Sequence, residues 1–146
     1  MAMMKKAQLC ATDMNIESIA VLGAGQMGNG ITQVAACAGY NVVMIDIKQE
    51  YVERGMNSIE KSLAKLVSKE RMTQEDADAS LARISTAISR QAAADVDLVI
   101  EAIPEIPDLK FSTFAELDEI CKPSTILASN TSSISIDAIA SHTKRP

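Results

Sequence analysis

Ser18-Ile19-Ala20-Val21-Leu22-Gly23-Ala24-Gly25-Gln26-Met27-Gly28 is the stretch on which the reading of this chain turns. Ile19 to Leu22 is a short, continuous apolar run, the pattern of a strand buried on both faces. The run stops at Gly23, and the apolar spacing Met27, Ile31, Val34/Ala35 and Ala38 predicts a helix. Gly23-x-Gly25-x-x-Gly28 therefore stands between a strand and a helix, the context a dinucleotide-binding loop requires. Gly23 permits the tight turn, Gly25 lets a pyrophosphate approach the backbone, and Gly28 lets helix and strand pack closely. With Ala24, Gln26 and Met27 they form a candidate phosphate cradle at a helix N-terminus, where free N–H groups favour an anion.

The sequence on the C-terminal side separates this reading from an ordinary strand–turn–helix with incidental glycines. The helix closes at Gly39, a suitable C-cap, and a second strand, Val42-Val43-Met44-Ile45-Asp46, follows directly. It ends on Asp46, about 20 residues beyond the glycine loop, where a ribose-binding carboxylate belongs. Such a carboxylate accepts hydrogen bonds from ribose hydroxyls and repels a 2′-phosphate, so the expected cofactor is NAD rather than NADP.

Composition narrows the class. The chain has 146 residues, enough for one domain with a sizeable core, and 47% hydrophobic against 23% charged residues argues for a folded globular protein. A net charge of −5 argues against nucleic acid as a partner. No apolar run approaches the roughly 20 residues of a membrane span, so no membrane partner is expected. Cys10, Cys37 and Cys121 are odd in number and scattered, which fits a reducing, cytoplasmic compartment. His142 is the only histidine, which excludes a histidine-rich metal site, and its polar surroundings, Ser141 to Arg145, predict a solvent-facing side chain. Residues 1–15 lack the apolar core of a signal peptide and read as a flexible leader to a domain spanning 16–146.

After Asp46, Val52, Met56, Ile59, Leu63, Leu66 and Val67 mark one apolar stripe of a helix from about Gln49 to Glu70. At about 100° per residue, Ser58, Lys61, Ser62, Lys65 and Lys69 share roughly one quadrant of it. None of these lysines has an acidic residue three or four positions away, so they repel one another by about 0.2–0.5 kcal/mol per pair. Two readings stand: a solvated face, or an anion site. Thr73 caps a short second helix to about Ala82, completing a helical hairpin. Strands are expected at Ile84–Ile88, Val96–Ile100 and Thr125–Ala128, with a helix opened by Pro107-Asp108 and a last one over Ile136–Ala140. The alternation predicts a doubly wound α/β fold with a parallel sheet and an inserted helical hairpin. Ligands in such sheets bind outside the carboxyl ends of the strands. Four polar clusters fall there: the glycine loop, Asp46, the Glu101–Lys110 segment and Ser129–Ser133. Turn chemistry alone also accounts for Asn130 and the serines.

Taken together, Val21-Leu22-Gly23-Ala24-Gly25-Gln26-Met27-Gly28, Asp46-Ile47-Lys48, Asp97-Leu98-Val99-Ile100-Glu101-Ala102 and Ser129-Asn130-Thr131-Ser132-Ser133 resemble the 3-hydroxyacyl-CoA dehydrogenase family. Within it, Ile120 to Ala128 and Lys144-Arg145-Pro146 are most similar to bacterial 3-hydroxybutyryl-CoA dehydrogenases. The resemblance covers about Ile16 to Pro146 and implies a Rossmann-type NAD-binding domain. It implies that Gly23 to Gly28 hold the pyrophosphate, that Asp46 holds the adenosine ribose, and that Glu105 and Lys110 line the nicotinamide half. It further implies that Ser132, with Asn130 beside it, holds the substrate's 3-oxygen, and that Ser62 and Lys69 contact coenzyme A. That last implication favours the anion-site reading of the lysine stripe.

The family's catalytic histidine lies in a strand that follows the Lys-Arg-Pro segment, its polarising glutamate comes later, and an all-helical domain completes the cleft. These have no counterpart in the 146 residues, and His142 precedes the segment instead of following it. The expectation is an NAD-binding domain cut before the last family strand, close to inactive by itself, with an uncovered sheet edge that favours a homo-oligomer. The missing C-terminal half is then a candidate partner, beside the acyl-CoA substrate. Two alternatives remain: a free-standing NAD sensor or carrier that never catalyses, and a Rossmann dehydrogenase acting on a free hydroxy acid, which the lysine stripe disfavours.

Overall fold

The computed structural model describes residues 15–145, so all but the last residue of the leader read at 1–15 lies outside the described residues. Five parallel strands form one sheet: β1 (Ser18–Leu22), β2 (Asn41–Ile45), β3 (Ile84–Ala87), β4 (Leu98–Glu101) and β5 (Ile126–Ser129). Their spatial order is β3-β2-β1-β4-β5. The chain therefore winds outward from β1 in one direction, then returns to β4 and winds in the other. That reversal creates a switch point between β1 and β4, beside the glycine loop. Helices α1 (Gln26–Cys37), α2 (Gln49–Ser68), α3 (Gln74–Ala82), α4 (Pro107–Ile120) and α5 (Ile136–Ala140) fill the crossovers, with α2 and α3 forming the inserted hairpin.

Alternation along β1 builds two faces. Ile19 and Val21 are buried with Val42 and Ala36 on the side of α1. Ala20 and Leu22 are buried with Val99, Leu117 and Cys121 on the side of α4. A third cluster of Met44, Val52, Ile59, Leu63 and Ala77 seats the hairpin on the sheet. The strand ends differ from the sequence reading by a residue or two, as terminal positions do. The short 3₁₀ turn Arg90–Ala93 that carries the chain from β3 to β4 was not expected at all.

Of the apolar spacing in α1, Ile31 and Ala35 pack partly buried against the core, whereas Met27 and Val34 are 58% and 70% exposed. The fully buried residues of the helix are Gly28, Thr32 and Ala36. Size explains why. A Cβ on Gly28 would stand 1.8 Å from the Gly23 carbonyl oxygen, so α1 lies too close to the loop for large side chains beneath it. Thr32 satisfies its buried hydroxyl by donating to the Gly28 carbonyl at 2.9 Å. Hydrophobic periodicity finds the helix, and close approach selects which of its residues are fully buried.

Two polar devices secure the amino edge of the sheet and the end of the described chain. Asp97, the one charge within the β4 apolar run, accepts from the backbone N–H groups of Glu17 (2.9 Å) and Ser18 (3.1 Å) and from Lys122 Nζ (2.8 Å). The segment Ser141–Arg145, read as a solvated tail, is anchored. Arg145 donates to the carbonyls of Lys122, Thr125 and Asp118 and to the Asp118 carboxylate. His142 is exposed as expected, yet its ring stacks on Phe111 with centroids 4.1 Å apart and 4° between planes.

Candidate functional site

Parallel register aligns the carboxyl ends of the strands. Leu22 lies opposite Ile45 on one side and Glu101 on the other, and Glu101 lies opposite Ser129. Gly23, Asp46, Ala102 and Asn130, the next residues on, therefore emerge along one edge. There they enclose a cleft of about 1330 Å³. That exceeds the roughly 300–1,000 Å³ of an ordinary small-molecule pocket and leaves room for an extended ligand. Gly23, Ala24, Gly25, Gln26, Met27, Asp46, Glu105, Asn130 and Ser132 all line it. Gly28 and Lys110 lie beneath the cleft rather than on its wall, and Ser62 and Lys69 lie farther along α2.

The three glycines of the loop have separate physical reasons. Gly23 has φ +105°, and a Cβ there would sit 2.5 Å from the Ala102 carbonyl oxygen, so both conformation and space exclude a side chain. Gly28 is held by the close approach of α1. Gly25, the N-cap of α1, has φ −68° and ψ −169°, which any residue adopts, and nothing lies within 4 Å of its missing Cβ. Inside the protein nothing requires a glycine at 25, and the free space beside it belongs to the cleft. The first turn of α1 carries no acidic residue, so its free N–H groups and the positive end of the helix dipole face the cleft uncompensated. Asp46 Oδ2 accepts from Ala24 N–H (2.9 Å) and Oδ1 from Ile47 N–H (2.7 Å), which orients the carboxylate and leaves its remaining lone pairs to the cleft. A narrow turn, an open glycine at a helix N-terminus and an oriented carboxylate fit a nucleotide diphosphate with its ribose.

Opposite this half, Glu105 stands over the loop after β5. Its Oε2 accepts from Thr131 Oγ1 (2.9 Å) and Ser133 Oγ (2.7 Å), the residues on either side of Ser132. Its Oε1 meets Lys110 Nζ at 2.8 Å. Hydrogen bonds from Lys110, then from Ser133 and Thr131, hold the Glu105 carboxyl down at about 2. Lys110 is fully buried and also donates to both oxygens of the buried Glu101, at 2.9 and 2.8 Å. Burial works to lower its pKa, but the hydrogen bonds with Glu101 and Glu105 outweigh it, and the net direction is upward. The ammonium is thus a fixed charge under the site.

Several cleft residues escaped the sequence reading. Arg54 and Tyr51 of α2 line it beside Ser58 of the expected lysine–serine quadrant, and Arg90 reaches it from the unexpected 3₁₀ turn, where it also pairs with Glu116 at 2.5 Å. The missed signal is Gly55, whose absent Cβ would lie 2.9 Å from the Ala24 carbonyl oxygen. A glycine inside an amphipathic helix marks this close approach, which brings the start of α2 to the glycine loop. Ser62 is one turn beyond Ser58 and half-buried, and Lys61, Lys65 and Lys69 are exposed. Among the described residues none of these lysines makes an ion pair. The lone histidine is not part of the cleft wall.

Comparison with known proteins agrees with this geometry. A family model described as the NAD binding domain of 3-hydroxyacyl-CoA dehydrogenase matches residues 18–146. The chain is 51% identical to a probable 3-hydroxybutyryl-CoA dehydrogenase of Deinococcus radiodurans over 126 residues, 86% of this chain and 45% of that protein. It is 46% identical to a 3-hydroxybutyryl-CoA dehydrogenase of Bradyrhizobium diazoefficiens over 131 residues, 90% of this chain and 45% of the other. Among solved structures, the 3-hydroxybutyryl-CoA dehydrogenase of Escherichia coli K12 superposes with a TM-score of 0.89 at 42% identity, covering 90% of this chain and 28% of that one. The chain thus spans about half the length of the curated relatives it matches. Among the described residues no helix is long and apolar enough to cross a membrane. The cradle at α1, the oriented Asp46 and a family match over nearly the whole chain carry one conclusion: this chain belongs to the 3-hydroxyacyl-CoA dehydrogenase family and is its NAD-binding domain.

Proposed function

We propose that this domain serves hydride transfer between C3 of a short-chain (S)-3-hydroxyacyl-CoA and NAD, in fatty-acid or butyrate metabolism. NAD, when bound, supplies the hydride acceptor or donor at C4 of its nicotinamide. The chain's own residues do the positioning. Gly23 to Gly28 and the N-terminus of α1 bind the pyrophosphate, with Gly28 acting through the packing of α1, and Asp46 takes the adenosine ribose. Glu105 borders the nicotinamide half, with Lys110 fixing it from below. Ser132 and Asn130 donate to the substrate oxygen on which charge develops, the ordinary means of stabilising such an oxygen. From the cleft, Arg54 and Ser58 lead along one face of α2 to Ser62, Lys65 and Lys69, a cationic track suited to the phosphates of coenzyme A.

One observation carries this reading beyond nucleotide binding. Glu105 clamps Thr131 and Ser133 so that Ser132 and Asn130 line the same cleft as the glycine loop. A sensor or carrier of NAD has no use for hydroxyl and amide donors at that place, which disfavours the non-catalytic alternative. No residue on the cleft wall carries an imidazole to move the hydroxyl proton. We propose that the 146-residue polypeptide by itself binds the cofactor and gains only the rate enhancement that positioning provides. The acyl-CoA, a further catalytic half and a second copy of the chain are its proposed partners, and the cytoplasm its proposed location.

The test is NADH fluorescence for binding, beside NADH oxidation with acetoacetyl-CoA. Binding with negligible turnover is the expected result. Robust turnover would mean that a residue of this chain moves the proton, and absence of NADH binding would sink the proposal altogether.

A further inference from the structure

Beneath the cleft lies a charged group that the proposed chemistry does not use. Glu101, the last residue of β4, is fully buried and off the cleft wall. Its carboxylate nevertheless has a partner on every side. Oε2 accepts from Ile103 N–H at 2.7 Å, within the loop that follows β4. Oε1 accepts from Ser129 Oγ at 2.6 Å, the last residue of β5. Both oxygens accept from Lys110 Nζ, which also reaches Glu105, and Glu105 holds Thr131 and Ser133. The Glu101 carbonyl accepts from Asn130 N–H at 2.8 Å.

Stability does not account for this arrangement. Two ions taken fully out of water recover their desolvation cost only with excellent geometry, and an apolar pair of similar volume is often at least as stable. What ions supply, and an apolar pair does not, is direction. Each oxygen fixes one backbone or hydroxyl donor at hydrogen-bond length, and the donors belong to two different loops. One loop, residues 102–106, borders the nucleotide side. The other, residues 129–133, carries Asn130 and Ser132.

We propose that Glu101 is a positioning residue whose buried carboxylate ties the loop at 102–106 to the loop at 129–133, so that occupation of the nucleotide cleft orders the substrate-oxygen donors. The inference rests on the NAD-binding reading and adds to it a coupling between cofactor and substrate halves, carried by Glu101 directly and through Lys110 and Glu105. Neither Glu101 nor Ser129 is required to touch either ligand. Nucleotide held against residues 102–106 restrains the Ile103 N–H, and through the shared carboxylate restrains the Ser129 hydroxyl.

Amide hydrogen exchange by mass spectrometry, with NADH as the probe, tests it on the 146-residue chain. In the wild type NADH slows exchange at residues 23–28 and also at 129–135, each by about fivefold or more, the lower end of ordinary coupling between sites. Ser129→Ala removes the direct side-chain tie from Glu101 to the second loop and leaves the route through Lys110 and Glu105. Glu101→Gln keeps the volume but turns one acceptor oxygen into a donor and removes the charge. Both variants keep the NADH response at 23–28; Glu101→Gln loses it at 129–135, and Ser129→Ala, which leaves the route through Lys110 and Glu105, reduces it there at least twofold. A merely structural role would loosen both segments alike and leave the NADH response in parallel. If Glu101→Gln does not fold, Ser129→Ala decides. Retention of both responses in a folded variant overturns the inference, as does a wild type that responds at 23–28 alone. A wild type with no response at 23–28 overturns the NAD-binding reading and this inference with it.

Discussion

Replacing each loop glycine by alanine separates folding from binding, because the same methyl group meets very different surroundings at 25 and at 28. At Gly28 it would stand 1.8 Å from the Gly23 carbonyl oxygen. Real Cβ contacts essentially never fall below 3.0 Å, so helix and loop must part by about 1.2 Å. Overpacking of this kind costs about 1–3 kcal/mol or more. For a domain of this size each kcal/mol lowers Tm by roughly 3 °C, so Gly28→Ala loses roughly 3–9 °C or more. At Gly25 the methyl meets nothing within 4 Å, and φ −68° with ψ −169° suits alanine. The gain from a stiffer unfolded chain, about 0.4–1 kcal/mol, offsets the poorer N-cap, which costs about as much. Tm of Gly25→Ala therefore stays close to the wild type, while its methyl projects into the cleft where the pyrophosphate must approach. NADH affinity falls at least tenfold, the equivalent of about 1.4 kcal/mol. Thermal denaturation followed by circular dichroism, with NADH fluorescence titration, reads both quantities. A Gly25→Ala variant that binds NADH like the wild type would refute the assignment of the loop as the phosphate cradle. A Gly28→Ala variant of unchanged Tm would refute the packing argument.

Two further perturbations probe other parts of the molecule. Lys61, Lys65 and Lys69 are exposed without ion pairs among the described residues, so changing all three to Glu should weaken coenzyme A binding at least tenfold while leaving NADH affinity within about twofold; equal coenzyme A affinity in calorimetry would remove the anion track. Hydrogen bonds from Lys122, Glu17 and Ser18 hold the Asp97 carboxyl below its ordinary 3.8. A depressed folded pKa adds stability that is fully present above 3.8 and is lost as pH falls below it. Asp97→Ala should therefore cost about 1.5–3 kcal/mol at pH 7, and the gap from wild type should narrow as pH falls below 4. A gap constant between pH 7 and pH 3 in urea denaturation would contradict the ion-pair account.

The sequence by itself determined the kind of fold and which residues of one half of the candidate cleft come together. Continuous apolar runs, capped helices and a glycine loop set between strand and helix are local properties, legible because each depends on neighbours in the chain. Thr73 accepting from Asp76 N–H and Pro107 opening α4 show the same local logic in the structure. Asp46 was found because its distance along the chain reflects one βαβ unit. What only the tertiary structure decided is how far elements approach and which charges meet. Apolar spacing marks α1, but the 1.8 Å limit at Gly28 decides that Thr32 and Ala36, with Ile31 and Ala35 partly buried, face the sheet while Met27 and Val34 stay exposed. Arg54 reaches the cleft because Gly55 brings α2 against Ala24. Lys110 looked like a cleft residue, yet it lies under the floor between Glu101 and Glu105, nine and five positions away. Glu101 itself ended an apolar strand with nothing in its neighbourhood to announce Ser129, twenty-eight residues on. Close approach and buried charge pairing are relations between distant segments, and they become definite only when the parallel register of β1, β4 and β5 brings those segments to one edge.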